Sequence, residues 1–437
     1  MDLIMKKQAL AALIALSVSI PAMAATFNSP DKVFIKASAA HAITVENWDS
    51  GENAASTFTN AYKFTNSYRI SHGLLGAKAD VVMPEALQRN MSVDLSTIMI
   101  DDLDGKMPLT TFLRDRLKNH SMVVLKNNHL VHQHFWNNMD ENSTHLDMSV
   151  TKSYTSMLAA IAVSEGKLDM SKPVTDYLPE LNNTGWSKAT VQEVADMRTS
   201  LKMTPTKGKS WDDRMTGAQG YNGDLSKTYP NGVADYFKFV TSVTEPMGSK
   251  YMYQCANTEV LGKIVEAATG ERLADLLESE IWQKVGMEND AFLMSDPSGY
   301  PMASGGLNAT TRDLARTGRM ILNNGKNYLG EQVVPKQFID NLFAGNDTVR
   351  SAWSKGKESA LADGWYKDQF RLLNVGGHNI LAMVGIHGQV VAMHKETGIV
   401  IAMNGGYPMT ETPRMAISLF HKVIPAIIDA INEYKSK

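Results

Sequence analysis

The residues in this chain that could do chemistry start with Ser149 and Lys152. A serine and a lysine three residues apart on a helix lie one turn apart on the same face. The amine can then reach the hydroxyl and take its proton, and a hydroxyl so activated attacks carbonyl carbon. The spacing alone is not distinctive, because Ser-x-x-Lys occurs four times. Ser29…Lys32 contains Pro30, and Ser164…Lys167 straddles Gly166, where a helix should end. Ser354…Lys357 lies in a stretch that reads as a loop. Only Ser149…Lys152 opens a strong helix directly after two β runs. A helix cap beside a solvated lysine is the plain alternative.

The elements around this pair follow from apolar period and turn chemistry. Residues 109–118 have helical spacing. Residues 121–126 are β-rich, Asn127-Asn128 is a turn pair, and residues 129–136 alternate, which is a hairpin signature. His132 and His134 share one face of that hairpin. They could hold a metal, but no third ligand is evident, so local hydrogen bonding is the better reading. The helix from Ser149 runs through Met157, Leu158, Ile161 and Val163 to Gly166, and its alanines predict burial on several sides. Residues 168–181 read as a loop with one short helix, and 191–197 as another helix. Residues 203–250 carry scattered aromatics, Trp211, Tyr221, Tyr229, Tyr236 and Phe237, and read as helices and loops forming one wall of a cleft. A second strong helix spans about 257–269 and ends at Gly270. A third follows Ala303-Ser304-Gly305-Gly306, with Thr310 or Thr311 as cap, Asp313 in its first turn and Gly325 at its end. Residues 381–394 and 398–404 are predicted as two long strands joined by a turn at 395–398. A helix over 413–434 should pack on their sheet. Strands near both ends around a helical middle predict an α+β fold, an antiparallel sheet flanked by helices with a mostly helical subdomain inserted at about 165–300.

The first 24 residues read as an export signal. Lys6 and Lys7 precede a 12-residue apolar run, and Ala22-Met23-Ala24 fits the small-x-small cleavage pattern. The expected location is periplasmic or secreted, with cleavage after Ala24. No later stretch reads as long and apolar enough to span a membrane. Residues 25–95 are polar and without clear period, and are expected to be an extension packing on the main domain, 96–437, with nothing catalytic in them. The net charge of −3 falls to −4 when Lys6, Lys7 and Asp2 leave with the leader, which argues against a nucleic-acid partner. The single cysteine, Cys255, excludes an internal disulfide.

Three stretches in order resemble the serine β-lactamase and DD-peptidase superfamily, in its class C and esterase branch. They are Ser149-Val150-Thr151-Lys152 on the buried helix, Tyr253 opening Tyr-Gln-Cys-Ala-Asn-Thr-Glu-Val-Leu-Gly262, and Gly385-Ile386-His387-Gly388 late in the chain. The Asn257 to Gly262 and Gly385 to Gln389 stretches are most similar to the branch of 6-aminohexanoate-dimer hydrolases. The resemblance implies a serine hydrolase acting on a small-molecule amide or ester, without metal or cofactor. It implies Ser149 as nucleophile, Lys152 as base with its pKa lowered by burial and a nearby phenol, and Tyr253 as proton relay. The N–H groups of Ser149 and Ile386 would form the oxyanion hole. Cys255, His387, Trp365 and Tyr366 are candidate substrate contacts. Two departures stand out. Cys255 occupies the place of an asparagine, and Met383 occupies that of a lysine or histidine which binds carboxylates, unless His387 takes that role. A DD-peptidase or β-lactamase, an esterase with little amide activity, and a non-catalytic binding protein therefore stay open.

Overall fold

The computed structural model describes residues 24–73, 81–89, 91–103, 105–207, 212–223, 225–408 and 413–433. Residues 1–23, most of the expected export signal, and Trp211 lie outside them. Among the described residues two antiparallel sheets form the frame. The larger has the order β10 (Asp363–Lys367), β11 (Phe370–Val375), β12 (His378–Gly385), β13 (Gln389–His394), β14 (Ile399–Gly405), β5 (Asn119–Lys126), β6 (His129–Phe135). The smaller has the order β1 (Thr26–Asn28), β2 (Asn66–Ile70), β8 (Ala291–Ser295), β9 (Leu307–Thr310), β7 (Thr144–Leu146). A two-stranded ribbon pairs β3 (Met99–Asp102) with β4 (Gly105–Pro108). The expected α+β class, antiparallel sheets flanked by helices, is what the chain adopts.

Strand period explains how the larger sheet buries both faces. Side chains alternate along a strand, so Val391, Met393, Val400 and Ala402 join the core under the Thr151–Ser164, Cys255–Thr269 and Thr311–Leu322 helices. Val390, Ala392, Ile399 and Ile401 face the other way, onto Leu419, Val423, Ile427 and Ile431. These come from the helix Pro413–Glu433, which is long and apolar enough to cross a membrane by length and composition, although 56% of that apolar window is buried. Here the sequence reading is corrected: the isoleucines that raise this helix's hydropathy are its core face.

The Asn127-Asn128 turn has both residues at positive φ, the geometry a two-residue hairpin needs. His132 and His134 share a face as expected, with His132 Nε2 2.9 Å from His134 Nδ1 and His134 Nε2 2.7 Å from Asn119 Oδ1.

Three further expectations are corrected. The run read as one strand over 381–394 is two strands, β12 and β13, which pair with each other around Ile386–Gly388. The signal of the turn is the Gly385–Gln389 interruption of the apolar run, where Gly388 has φ +94° beside His387 at φ +64°. The inserted helical region stops before residue 291, because β8 pairs with both β2 and β9. Residues 25–73 do pack on the main body as expected, but they are part of its frame rather than an addition to it. They supply β1 and β2, and Trp48, Phe58 and Phe64 pack with Leu146, Met148 and Met302, next to the expected nucleophile. Ala25 itself is buried, and its N–H donates to Asp275 Oδ1 at 2.8 Å.

Candidate active site

A tight turn, Met148–Val150, delivers Ser149 to the start of the Thr151–Ser164 helix. Met148 has φ +49°, a conformation a bulky side chain adopts only when its surroundings impose it. Those surroundings are specific. The Asp147 N–H donates to the Leu307 carbonyl at 2.8 Å, and Asn404 Nδ2 donates to Asp147 Oδ1 at 3.0 Å. The Asp147 side chain is fully buried, and burial pushes its carboxyl well above the usual carboxylate range. The Thr151 hydroxyl closes the turn by donating to the Met148 carbonyl at 2.6 Å and accepts from the Leu307 N–H at 3.0 Å.

Ser149 is half-buried and Lys152 is buried, one turn on. Lys152 Nζ donates to Ser149 Oγ at 2.7 Å and to the Ser304 carbonyl at 2.6 Å. The Ala303–Gly306 turn noted in the sequence therefore holds the amine. Behind it stands Glu259, which sequence reasoning missed. Its carboxylate accepts from the N–H groups of Ala303 (3.2 Å) and Ser304 (3.1 Å) and from Gln219 Nε2 (2.7 Å). A lone glutamate on an apolar helix carries no local signal of such a role.

Tyr253 places its ring centroid 5.1 Å from Lys152 Nζ. The segment is fixed by main-chain bonds, Tyr251 N–H to the Ala352 carbonyl and Met252 N–H to the Met197 carbonyl. Gln254 then clamps Leu201 through both its amide groups. Cys255 is half-buried at the first residue of the Cys255–Thr269 helix. The expected lowering of the lysine pKa is corrected here. Burial favours the free amine, but the electrostatic interactions and hydrogen bonds of Cys255 and Tyr253 beside it favour the ammonium, and the balance holds Lys152 above the ordinary lysine value. The phenol expected to lower the lysine pKa acts, after Cys255, to raise it.

The end of β12 closes the site from the other side. A Cβ on Gly385 would lie 2.5 Å from the Asp147 carbonyl oxygen and 3.0 Å from Met148 Cβ, so only glycine lets this strand touch the nucleophile turn. Ile386 follows directly and packs against the buried cluster that contains Met148. His387 is turned away from a carboxylate-binding role. It is 2% exposed, its Nδ1 lies 2.6 Å from the Tyr407 carbonyl, and the Phe58 ring meets it edge-on at 5.0 Å. Burial pushes its pKa down, so it stays neutral. Met383 is a fully buried core residue.

The candidates Trp365 and Tyr366 point to opposite sides of β10. Tyr366 meets Tyr253 edge-on at 6.1 Å. Trp365 does not join it: its Nε1 donates to the Leu342 carbonyl at 2.9 Å, and its ring carries the Arg350 guanidinium at 4.4 Å. Adjacent strand residues face opposite ways, and β10 carries no strand signal clear enough in the sequence to separate the two. The β10–β11 turn, Asp368-Gln369 with φ +47° and +63°, docks between two helices. Ser153 Oγ donates to the Gln369 carbonyl at 2.8 Å, and Thr258 Oγ1 donates to Gln369 Oε1 at 2.9 Å.

Comparison with known proteins gives the family and the fold. The beta-lactamase family model matches residues 111–421. The 6-aminohexanoate-dimer hydrolase of Paenarthrobacter ureafaciens is 29% identical over 322 residues, covering 72% of this chain and 79% of that protein. A Bacillus anthracis structure provisionally named a 6-aminohexanoate-dimer hydrolase superposes with a TM-score of 0.78 at 24% identity, covering 93% of this chain and 99% of that one. The octameric penicillin-binding protein homologue from Pyrococcus abyssi shares the fold with a TM-score of 0.54 at 18% identity, covering 71% of this chain and 76% of that one.

Proposed function

This chain belongs to the beta-lactamase family of serine hydrolases, and from that premise we propose that it is an exported enzyme cleaving an amide or ester of a small substrate through an acyl-enzyme on Ser149. The observation that carries this reading is the Lys152 amine, held between Ser149 Oγ at 2.7 Å and the Ser304 carbonyl, under the Tyr253 ring. Ser149 Oγ attacks the substrate carbonyl, and the tetrahedral oxyanion forms against the N–H groups of Ser149 and Ile386. An amine that keeps its proton cannot accept another. We infer that the base is Lys152 and Tyr253 acting as one unit, in the state in which the amine and the phenol oxygen hold a single acidic proton between them. The proton lost by Ser149 passes through this pair to the leaving nitrogen or oxygen. In the second half-reaction the pair takes a proton from water, which attacks the acyl carbon and frees Ser149.

The substrate class is a linear amide of short units, or an ester of a short acid. The name of the Paenarthrobacter relative specifies a 6-aminohexanoate dimer, which is such an amide. A penicillin-type role is less well supported, because Met383 is in the core and His387 is held neutral, so neither offers a cation to a carboxylate. Export rests on the leader sequence. The test is intact-mass analysis after exposure to a panel of p-nitrophenyl esters, matched anilides and penicillins. The expected result is an acyl adduct on Ser149 from the esters and none from penicillin. Absence of an adduct with every ester, and with a fluorophosphonate, would overturn it in favour of a non-catalytic binding protein.

A further inference from the structure

Over the Tyr253 ring, besides Lys152, lies a second cation that no sequence motif marks. The Arg371 guanidinium carbon, on β11, is 4.8 Å from the Tyr253 ring centroid and 5.2 Å from that of Tyr366. It is held there by Glu358, with Nε to Oε2 at 2.7 Å and Nη2 to Oε1 at 3.0 Å. The Tyr251 hydroxyl donates to the same carboxylate at 2.7 Å. In the sheet, Arg371 is the cross-strand partner of Ala382, immediately beside the core residue Met383.

We propose that Arg371 is a positioning residue for the acid–base pair: through the face of Tyr253 it stabilises negative charge on the phenol oxygen, and Glu358 both orients it and moderates its field. The inference rests on the mechanism proposed above. A cation at this range favours an anionic neighbour, and the effect is strong where water is excluded. The ionisable groups facing Tyr253 are Lys152, Cys255, Tyr366 and Arg371, with Glu358 and Tyr251 behind the guanidinium. Lys152 and Arg371 are the cations among them. Glu358 is the anion nearest to Arg371, which keeps the carboxylate ionised despite its burial.

The test reads Tyr253 directly, without needing turnover. Tyrosinate absorbance near 295 nm is titrated in the wild-type protein and in each variant, each against the same background carrying Tyr253→Phe. Arg371→Met should move the Tyr253 midpoint up by about one pH unit or more, a tenfold change in its ionisation equilibrium. Glu358→Gln should move it down. The double variant R371M/E358Q, which leaves no uncompensated buried charge and so protects folding, should lie above wild type because the arginine is the nearer group. The acidic limb of kcat/KM on a p-nitrophenyl ester should shift in the same directions, while a residue that only packs would lower the rate at every pH. Coincident titrations for wild type and the double variant would overturn the inference. An acyl adduct still forming on Ser149 in that case would leave the proposed function intact.

Discussion

Ser149→Ala is expected to abolish turnover and adduct formation together, with a loss in kcat of roughly four to six orders of magnitude, the scale seen when a serine nucleophile is removed. The fold should survive, because Ser149 is half-buried and the turn that carries it is held by its neighbours, Asp147 through Asn404 and Thr151 through Met148 and Leu307. The change deletes one oxygen that accepts from Lys152 Nζ, while the Ser304 carbonyl continues to accept from the same amine. Thermal denaturation should therefore move little, and substrate should still bind. Intact-mass analysis and single-turnover kinetics check both halves. An adduct of unchanged amount on the alanine variant would place the nucleophile elsewhere, and Cys255 would be the first residue to examine.

Gly385→Ala should produce the second largest effect, and by a different route. The added methyl would lie 2.5 Å from the Asp147 carbonyl oxygen and 3.0 Å from both Met148 Cβ and Gln389 Cβ. The first of these is backbone and cannot swing aside, so β12 must withdraw from the nucleophile turn. The N–H of Ile386 then withdraws with it. Losing one oxyanion donor typically costs about 10²–10³-fold in kcat, and that is the expected loss here, with KM changing much less. Measuring kcat and KM separately distinguishes this from a general loosening of the cleft. A variant with wild-type kcat would show that Ile386 does not hold the oxyanion.

The legible parts of this molecule were those whose cause is local. The hairpin at Asn127-Asn128, the cap at Thr310 and the helix stops at Gly166 and Gly270 depend on residues within a few positions, and each lies where the sequence indicates. The Ser-x-x-Lys pair was legible because a helix puts both residues on one face. Arg371 and Glu259 were not, because their meaning arises only when β11 or the 303–306 turn is brought against another segment. Trp365 was misjudged for a related reason: its side follows from the parity of a strand, and β10 was not recognised. The direction of the lysine pKa is not legible either, because it depends on Cys255 and Tyr253 being brought beside the amine as well as on burial.

One small contact near the start of the chain bears on maturation. The N–H of Ala25 rests on the Asp275 carboxylate, which Arg272 also holds at 2.9 Å. Cut after Ala24, as the leader suggests, that nitrogen ceases to be an amide and becomes an α-ammonium, so an ordinary hydrogen bond turns into an ion pair at a buried residue. The precursor has no such charge to place there. The trimmed protein should accordingly melt higher than an uncut form, and Asp275→Asn should erase the difference. An equal melting temperature for the two forms would mean that the new terminus is not anchored in this way.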